Sequence, residues 1–78
     1  MAVKVYVLVR TDPGRTSQVI SALQEVRGIV EIHEVLGPYD VVAEIEVDEL
    51  RDVSPILMQR IRTLDGIEST TSLVAPWT

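Results

Sequence analysis

The sequence contains no cysteine and no phenylalanine, and only three of its 78 residues are aromatic. Without cysteine the chain can form neither a disulfide framework nor a thiolate metal site, and a cysteine nucleophile is excluded. Positive charge is also scarce. Seven Lys and Arg residues stand against twelve Asp and Glu residues, and the net charge of −5 disfavours direct binding to a nucleic-acid backbone. No apolar run approaches the roughly 18–20 residues of a membrane span, and residues 1–5 do not resemble a signal peptide. We therefore expect a soluble, cytoplasmic protein.

Aliphatic residues dominate what is present. Hydrophobic residues make up 46% of the chain, so the core must consist of Val, Ile and Leu. A chain of 78 residues is long enough for a single domain, which we place at residues 1–78. A core of this size is only marginally stable alone, and we expect further burial against a second copy of the chain.

The hydrophobic pattern predicts strands alternating with helices. Val3 to Arg10 alternates valines with longer side chains, which is typical of a strand. Thr11 or Asp12 can cap a helix with Pro13 in its first turn, and apolar residues at helical spacing carry this helix to about Val26. Three further strands are predicted at 29–36, 41–47 and 67–74.

Pro55 decides where the second helix begins. Proline inside a helix costs roughly 3 kcal/mol, whereas Ser54-Pro55 is typical of a cap followed by a first-turn proline. We therefore predict a helix from Ser54 or Pro55 to Leu64, preceded by a looser helical turn at 48–53.

Gly37 and Pro38 separate two β-branched strands and indicate the tip of a β-hairpin. With a loop of residues 37–40, one set of cross-strand pairs is mostly apolar, and this set faces the helices. The predicted pairs are Leu36 with Val41, Glu34 with Ala43, Ile32 with Ile45 and Val30 with Val47 on that side, and His33 with Glu44 and Glu31 with Glu46 on the other.

The order βαββαβ predicts an α+β, ferredoxin-like fold, in which a four-stranded antiparallel sheet carries two helices on one face. The other face stays partly apolar through Tyr6, Leu8, Val35 and Val42. We expect this face to be a dimer interface.

Two segments resemble the effector-binding (RAM) domain of the Lrp/AsnC family, the leucine-responsive and asparagine regulators. The hairpin Val35–Val42 is similar to that family's Gly-x-Tyr-Asp turn, and Leu64–Thr71 is similar to its entry into the fourth strand, with Asp65 where the family often has Pro. The resemblance covers nearly the whole chain. It implies a homodimer through the open sheet face, assembly of dimers into rings such as octamers, and an amino-acid effector bound near the turn.

One difference from that family concerns DNA. Family regulators carry an N-terminal helix-turn-helix, whereas this sequence opens on a strand. The resemblance therefore implies a stand-alone domain with no helix-turn-helix of its own. Such a domain would modulate transcription or amino-acid metabolism through partners, including a DNA-binding relative, without itself contacting nucleic acid or membrane.

The residues allow two interpretations of the turn. Gly37, Tyr39 and Asp40 can bind an amino acid, because turn backbone groups hold a carboxylate and an aspartate holds an ammonium group. The same residues are equally typical of turn structure alone, with Asp40 bonding to backbone. Thr70 and Thr71 can supply hydroxyl groups to the same ligand, although threonine is also favoured in half-exposed strands for structural reasons.

Other functions have weaker support. His33 lies among acidic residues of the open face, but a solvated or paired histidine is favoured over a metal ligand, and we expect no metal and no cofactor. No nucleophile with a base is recognisable, so we expect no catalytic residues and no enzyme. The alternatives are a dimeric α/β-barrel enzyme such as a small monooxygenase or isomerase, an ACT-like regulatory domain, and a purely structural assembly. The role of Trp77 stays open.

Overall fold

A computed structural model describes residues 2–75 of the chain. Trp77 therefore lies outside the described residues. The strands are β1 (Val3–Thr11), β2 (Ile29–Glu34), β3 (Val41–Val47) and β4 (Ile67–Ala75), and the first helix is α1 (Thr16–Leu23). A second helical segment consists of a 3₁₀ turn (Leu50–Asp52), a short α-helical piece, α2 (Val53–Pro55), and a π-helical piece (Ile56–Ile61).

The four strands form one sheet in the order β2-β3-β1-β4. Strand β1 lies in the interior of the sheet and pairs antiparallel with both β3 and β4, while β2 pairs antiparallel with β3. This order and the βαββαβ connectivity confirm the predicted ferredoxin-like fold.

The core lies between the sheet and the helices. Val19 and Leu23 of α1 are buried, as are Val53 and Ile61 of the second helical segment. They form one cluster with the inward-facing strand residues Val3, Val5, Val7, Val9, Val41, Ala43 and Ile45. Burying each such aliphatic side chain contributes about 1.5–3 kcal/mol. Because strand side chains alternate, Lys4, Tyr6, Leu8 and Arg10 of β1 face the side that carries no helix, which we call the open face.

The predicted register of the β2–β3 hairpin was wrong by two residues. Ile32 pairs with Ala43 rather than Ile45, and the N–H of Val35 donates to the carbonyl of Asp40 over 2.9 Å. The loop therefore contains residues 36–39. A shift of two preserves the face of each side chain, so Ile32 still packs against the core. Leu36, which was predicted to pack beneath the helices, is instead fully exposed.

An irregularity near the start of β2 also alters the predicted pairs. Ile29 pairs with Ile45 and Glu31 with Glu44, so Val30 stands between two consecutive pairs as an extra residue. A bulge of this kind interrupts the alternation of side chains, and Val30 is 54% exposed rather than paired with Val47.

The new register changes the partners of the charged residues on the open face. His33 lies opposite Val42, not opposite Glu44, and Glu31 lies opposite Glu44, not opposite Glu46. The predicted pairs were two positions out for the same reason as the apolar ones.

Helix α1 is shorter than predicted at both ends. Residues 12–15 form a turn in which the N–H of Arg15 donates to the carbonyl of Asp12 over 3.0 Å, so Pro13 precedes the helix instead of opening it. At the other end, the N–H of Val26 donates to the carbonyl of Leu23 over 3.0 Å. This bond spans three residues and marks a tighter turn, which ends the α-helix at Leu23.

The second helical segment begins earlier than predicted. The looser turn expected at 48–53 is present as the 3₁₀ turn, but it runs directly into α2, and Pro55 lies inside the segment rather than at its start. The N–H of Arg62 donates to the carbonyl of Leu57, five residues back, over 2.9 Å, which is the wider π-helical bond. The segment ends at Ile61, short of Leu64. No helix within residues 2–75 has the length and apolarity needed to cross a bilayer.

Candidate functional site

The β2–β3 turn projects from one end of the sheet. Leu36, Gly37 and Pro38 are exposed, and Tyr39 is half-buried. Gly37 has a φ of 141°, a backbone conformation that other residues rarely adopt, and a Cβ at this position would have no neighbour within 4 Å. The glycine is therefore needed for the path of the chain and not for close packing, and the turn is open to an approaching ligand.

Asp40 is held in place by the end of β1. Its Oδ2 atom accepts a hydrogen bond from the N–H of Thr11 over 2.8 Å, and its own N–H donates to the carbonyl of Val9 over 2.9 Å. Thr11 is buried, so the carboxylate satisfies a backbone donor that water cannot reach freely. Asp40 thus bonds to backbone, as the structural interpretation of the turn predicts, but its partner is the distant Thr11 and not the turn itself. Only Oδ1 is outside this hydrogen bond.

Tyr39 connects the turn to the opposite edge of the sheet. Its hydroxyl oxygen lies 3.3 Å from Oγ1 of Thr71, although the two residues are 32 positions apart. Thr71 pairs with Leu8 and shares the open face with it, whereas Thr70 pairs with Val9 and lies on the helix face. The structure therefore brings Tyr39 and Thr71 together and points the side chain of Thr70 elsewhere.

Charged residues that the sequence did not single out lie beside this turn. A hydrogen bond with Asp12 raises the pKa of the Glu68 carboxyl; burial and the negative charge of Asp12 act in the same direction. Arg10 opposes this shift, and Asp40 adds a smaller repulsion. The N–H of Asp12 donates to the carbonyl of Gly66 over 2.8 Å, which joins the ends of β1 and β4. No local motif marks these residues, because a register shift between β1 and β4 brings them together.

Comparison with known proteins assigns the family. Residues 4–76 match the model of the Lrp/AsnC ligand-binding domain. The chain belongs to the Lrp/AsnC ligand-binding domain family.

Relatives of this Lrp/AsnC domain agree with that assignment. An uncharacterized HTH-type transcriptional regulator of Pyrococcus furiosus is 27% identical over 73 residues, which cover 90% of this chain and 49% of the regulator. The chain thus spans about half the length of the curated relatives it matches. The solved structure of TTHA0845 from Thermus thermophilus is 30% identical with a TM-score of 0.89, and the match covers 94% of this chain and 91% of that one.

A more distant structure shares the fold. It is a feast or famine regulatory protein of Mycobacterium tuberculosis, solved in complex with L-methionine. It is 23% identical to this chain with a TM-score of 0.80, and the match covers 97% of this chain and 51% of the other.

The open face of this Lrp/AsnC domain is apolar at its centre. Tyr6, Leu8, Val35 and Val42 are each half-buried in the single chain. The pairing of Tyr6 with Leu73 extends the apolar surface onto β4, where Leu73 is 52% exposed. The Ser- and Thr-rich sequence of β4 concealed this contribution of Leu73.

Two carboxyl groups lie side by side on the same face. The hydrogen bond that the Glu44 carboxyl donates to Glu31, followed by the hydrogen bond with His33, lowers the pKa of Glu31, and the same bond with Glu31 raises the pKa of Glu44. Oε1 of Glu31 is 3.2 Å from Nε2 of His33, and Nζ of Lys4 is 3.9 Å from Oε1 of Glu44. Within residues 2–75, no three His, Asp or Glu side chains are placed to hold a metal ion.

Proposed function

We propose that this Lrp/AsnC domain is a regulatory module that binds an amino-acid effector at the β2–β3 turn and has no enzymatic role. The contact between the Tyr39 hydroxyl and Thr71 carries the proposal, because it joins the turn and β4 in one solvent-accessible place. The M. tuberculosis relative in complex with L-methionine supports an amino acid as the ligand. The curated relatives, named as transcriptional regulators, support a regulatory role.

The chemistry of the turn suits a zwitterion. Asp12, Asp40 and Glu68 make the surroundings negative, which favours the ammonium group of an amino acid. The guanidinium of Arg10 and the backbone around Gly37 are the groups available to its carboxylate. The hydroxyls of Tyr39 and Thr71 can complete the polar contacts; Thr70 contributes through its backbone at most, because its side chain lies on the helix face.

We further propose that the open face is a homodimer interface centred on Tyr6, Leu8, Val35 and Val42, and that dimers assemble into rings. A half-buried apolar surface of this kind is typical of association between subunits. Since the chain carries a net charge of −5, we expect any effect on transcription to pass through a DNA-binding relative and not through direct contact with DNA.

Isothermal titration with a panel of amino acids, including L-methionine, tests the ligand site. Tyr39→Phe and Thr71→Val each remove a hydroxyl, and both should weaken binding by about tenfold. Thr63→Val is the matched control, because Thr63 is exposed in the turn that follows the second helical segment, where its hydroxyl donates to the carbonyl of Gln59. Unchanged affinity in both turn variants, or no binding of any amino acid, would overturn the proposed site.

Light scattering tests the interface. Leu8→Glu places a charge at the centre of the open face and should convert dimers into monomers. Leu50→Glu is the control, since Leu50 is 56% exposed at the start of the second helical segment. The dimer proposal is wrong if the wild-type chain is monomeric, or if Leu8→Glu has the same mass as the wild type.

A further inference from the structure

One corner of the open face is ionisable, whereas the centre of that face is apolar. Glu31 of β2 lies opposite Glu44 of β3, and Glu44 lies opposite Tyr6 of β1 on its other side. Tyr6 in turn lies opposite Leu73 of β4. This row of four side chains crosses the whole sheet, and it places the two carboxyl groups directly beside the apolar centre of the proposed dimer interface.

Glu44 is the member of the carboxyl pair that the single chain already covers. Its side chain is 13% exposed, whereas that of Glu31 is 58% exposed. An ionised carboxylate that is taken out of water loses free energy unless a cation or a hydrogen-bond donor replaces the water. A second copy of the chain that packs on Tyr6 would cover Glu44 as well, because the two side chains are neighbours across the strands.

The ionisable groups that face the pair come from three strands, and few of them are positive. They are Lys4 and Tyr6 of β1, His33 of β2 and Glu46 of β3, while β4 contributes the uncharged Leu73 and Ala75 to the same rows. Nζ of Lys4 lies 3.9 Å from Oε1 of Glu44 and the residue also lies opposite Glu46, so one ammonium group faces two carboxyl groups. Nε2 of His33 lies 3.2 Å from Oε1 of Glu31 and is a cation only when the imidazole is protonated. The corner is therefore negative when both members of the pair are ionised.

A single bound proton relieves the repulsion within the pair. When Glu44 is protonated, its hydroxyl donates to Glu31, and this bond raises the pKa of Glu44 and lowers that of Glu31. The pair then carries one negative charge instead of two. Removal of water favours the less charged form, so a subunit packed on this face should hold the proton more tightly than the free chain does. Because such coupling is reciprocal, the bound proton should strengthen association to the same extent.

We infer that Glu31 and Glu44 form a proton-dependent switch for association, through which the open faces of two copies pair more tightly at mildly acidic pH than at alkaline pH. The inference rests on the homodimer proposed above. Each subunit takes up at most one proton at its pair, so this effect can change the dissociation constant by at most about a hundredfold per pH unit. We expect the dissociation constant to be larger at pH 8 than at pH 5.5 by about tenfold or more.

Sedimentation equilibrium of the full chain between pH 5.5 and pH 8 measures the dissociation constant. Roughly 0.3 M salt screens the general repulsion between two subunits that each carry a net charge of −5. Glu44→Gln imitates the protonated carboxyl, since its amide can donate to Glu31, and it should dimerise at pH 8 about as tightly as the wild type does at pH 5.5. Glu31→Gln removes the other carboxyl at a more exposed position and should flatten the pH profile as well.

Two controls separate the pair from other titrating groups. Glu25→Gln changes the net charge equally at an exposed position in the turn after α1, and it should keep the wild-type pH profile. His33→Gln should also keep the profile, which assigns the effect to the carboxyl pair and not to the imidazole.

The outcomes distinguish this inference from the dimer itself. A dimer whose dissociation constant is the same from pH 5.5 to pH 8 would overturn the inference and leave the interface in place. The same holds if Glu25→Gln or His33→Gln flattens the profile as much as Glu44→Gln does. A wild-type chain that is monomeric at every pH would overturn the proposed dimer and this inference together.

Discussion

Replacing Asp40 by alanine separates the structural role of this residue from any role in binding. The substitution removes the acceptor of the 2.8 Å hydrogen bond from the N–H of Thr11 and leaves that donor without its carboxylate partner. Thr11 is only 5% exposed, so water replaces the lost partner poorly. Hydrogen bonds to charged groups contribute about 1.5–3 kcal/mol. We therefore expect Asp40→Ala to lower the free energy of unfolding by that amount without any ligand present.

Urea unfolding, supported by thermal melting at equal protein concentration, measures the effect. Since 1 kcal/mol corresponds to ~4–8 °C in a domain of this size, the Tm should fall by roughly 6–24 °C. Asp40→Asn keeps an oxygen acceptor without the charge and should lose about half as much, because charge-assisted hydrogen bonds are roughly twice as strong as neutral ones.

Asp65→Ala is the control for this prediction, since Asp65 is an exposed aspartate in the turn before β4. It should change the free energy of unfolding by less than ~0.5 kcal/mol. If Asp40→Ala were no less stable than Asp65→Ala, the hydrogen bond to Thr11 would not stabilise the fold. Loss of binding in Asp40→Ala could then be assigned to the ligand contact itself.

Two further predictions concern packing and pH. Gly66→Ala should destabilise the chain by more than Gly14→Ala. Both glycines have positive φ, but a Cβ on Gly66 would lie 3.0 Å from Cγ2 of the buried Val19, whereas a Cβ on Gly14 would meet nothing within 4 Å. Equal stabilities of the two variants in urea unfolding would contradict this prediction. The hydrogen bond between Glu31 and Glu44 should stabilise the fold most near pH 4.5, which is the ordinary pKa of both carboxyl groups. As the pH falls below 4.5, the unfolded chain binds a proton at Glu31 before the folded chain does, so the free energy of unfolding falls. As the pH rises above 4.5, the unfolded chain releases the Glu44 proton before the folded chain does, so the free energy of unfolding falls again. Glu44→Gln should therefore lose less stability than the wild type when the pH rises above 4.5, and parallel pH profiles of unfolding would refute the shared proton.

The ferredoxin-like fold could be predicted from the sequence because its signals are local. The alternating valines of β1 and the helical spacing in Val19 and Leu23 depend only on neighbouring residues, and they place these side chains in the core whatever the register. The family resemblance rested on two short segments that the family model, spanning residues 4–76, includes. Of the candidate site residues, Tyr39 and Thr71 meet in the structure, and that they bind a ligand stays a prediction.

What the tertiary structure decided was which distant groups meet. The bulge at Val30 and the pairing of Val35 with Asp40 set the register of the hairpin, and this determined that Glu31 lies beside Glu44. The bond from Thr11 to Asp40 joins residues 29 positions apart. A linear pattern specifies the face on which a side chain lies, whereas these contacts arise only when strands and helices pack together, because a shift of two residues leaves every face unchanged and alters every partner.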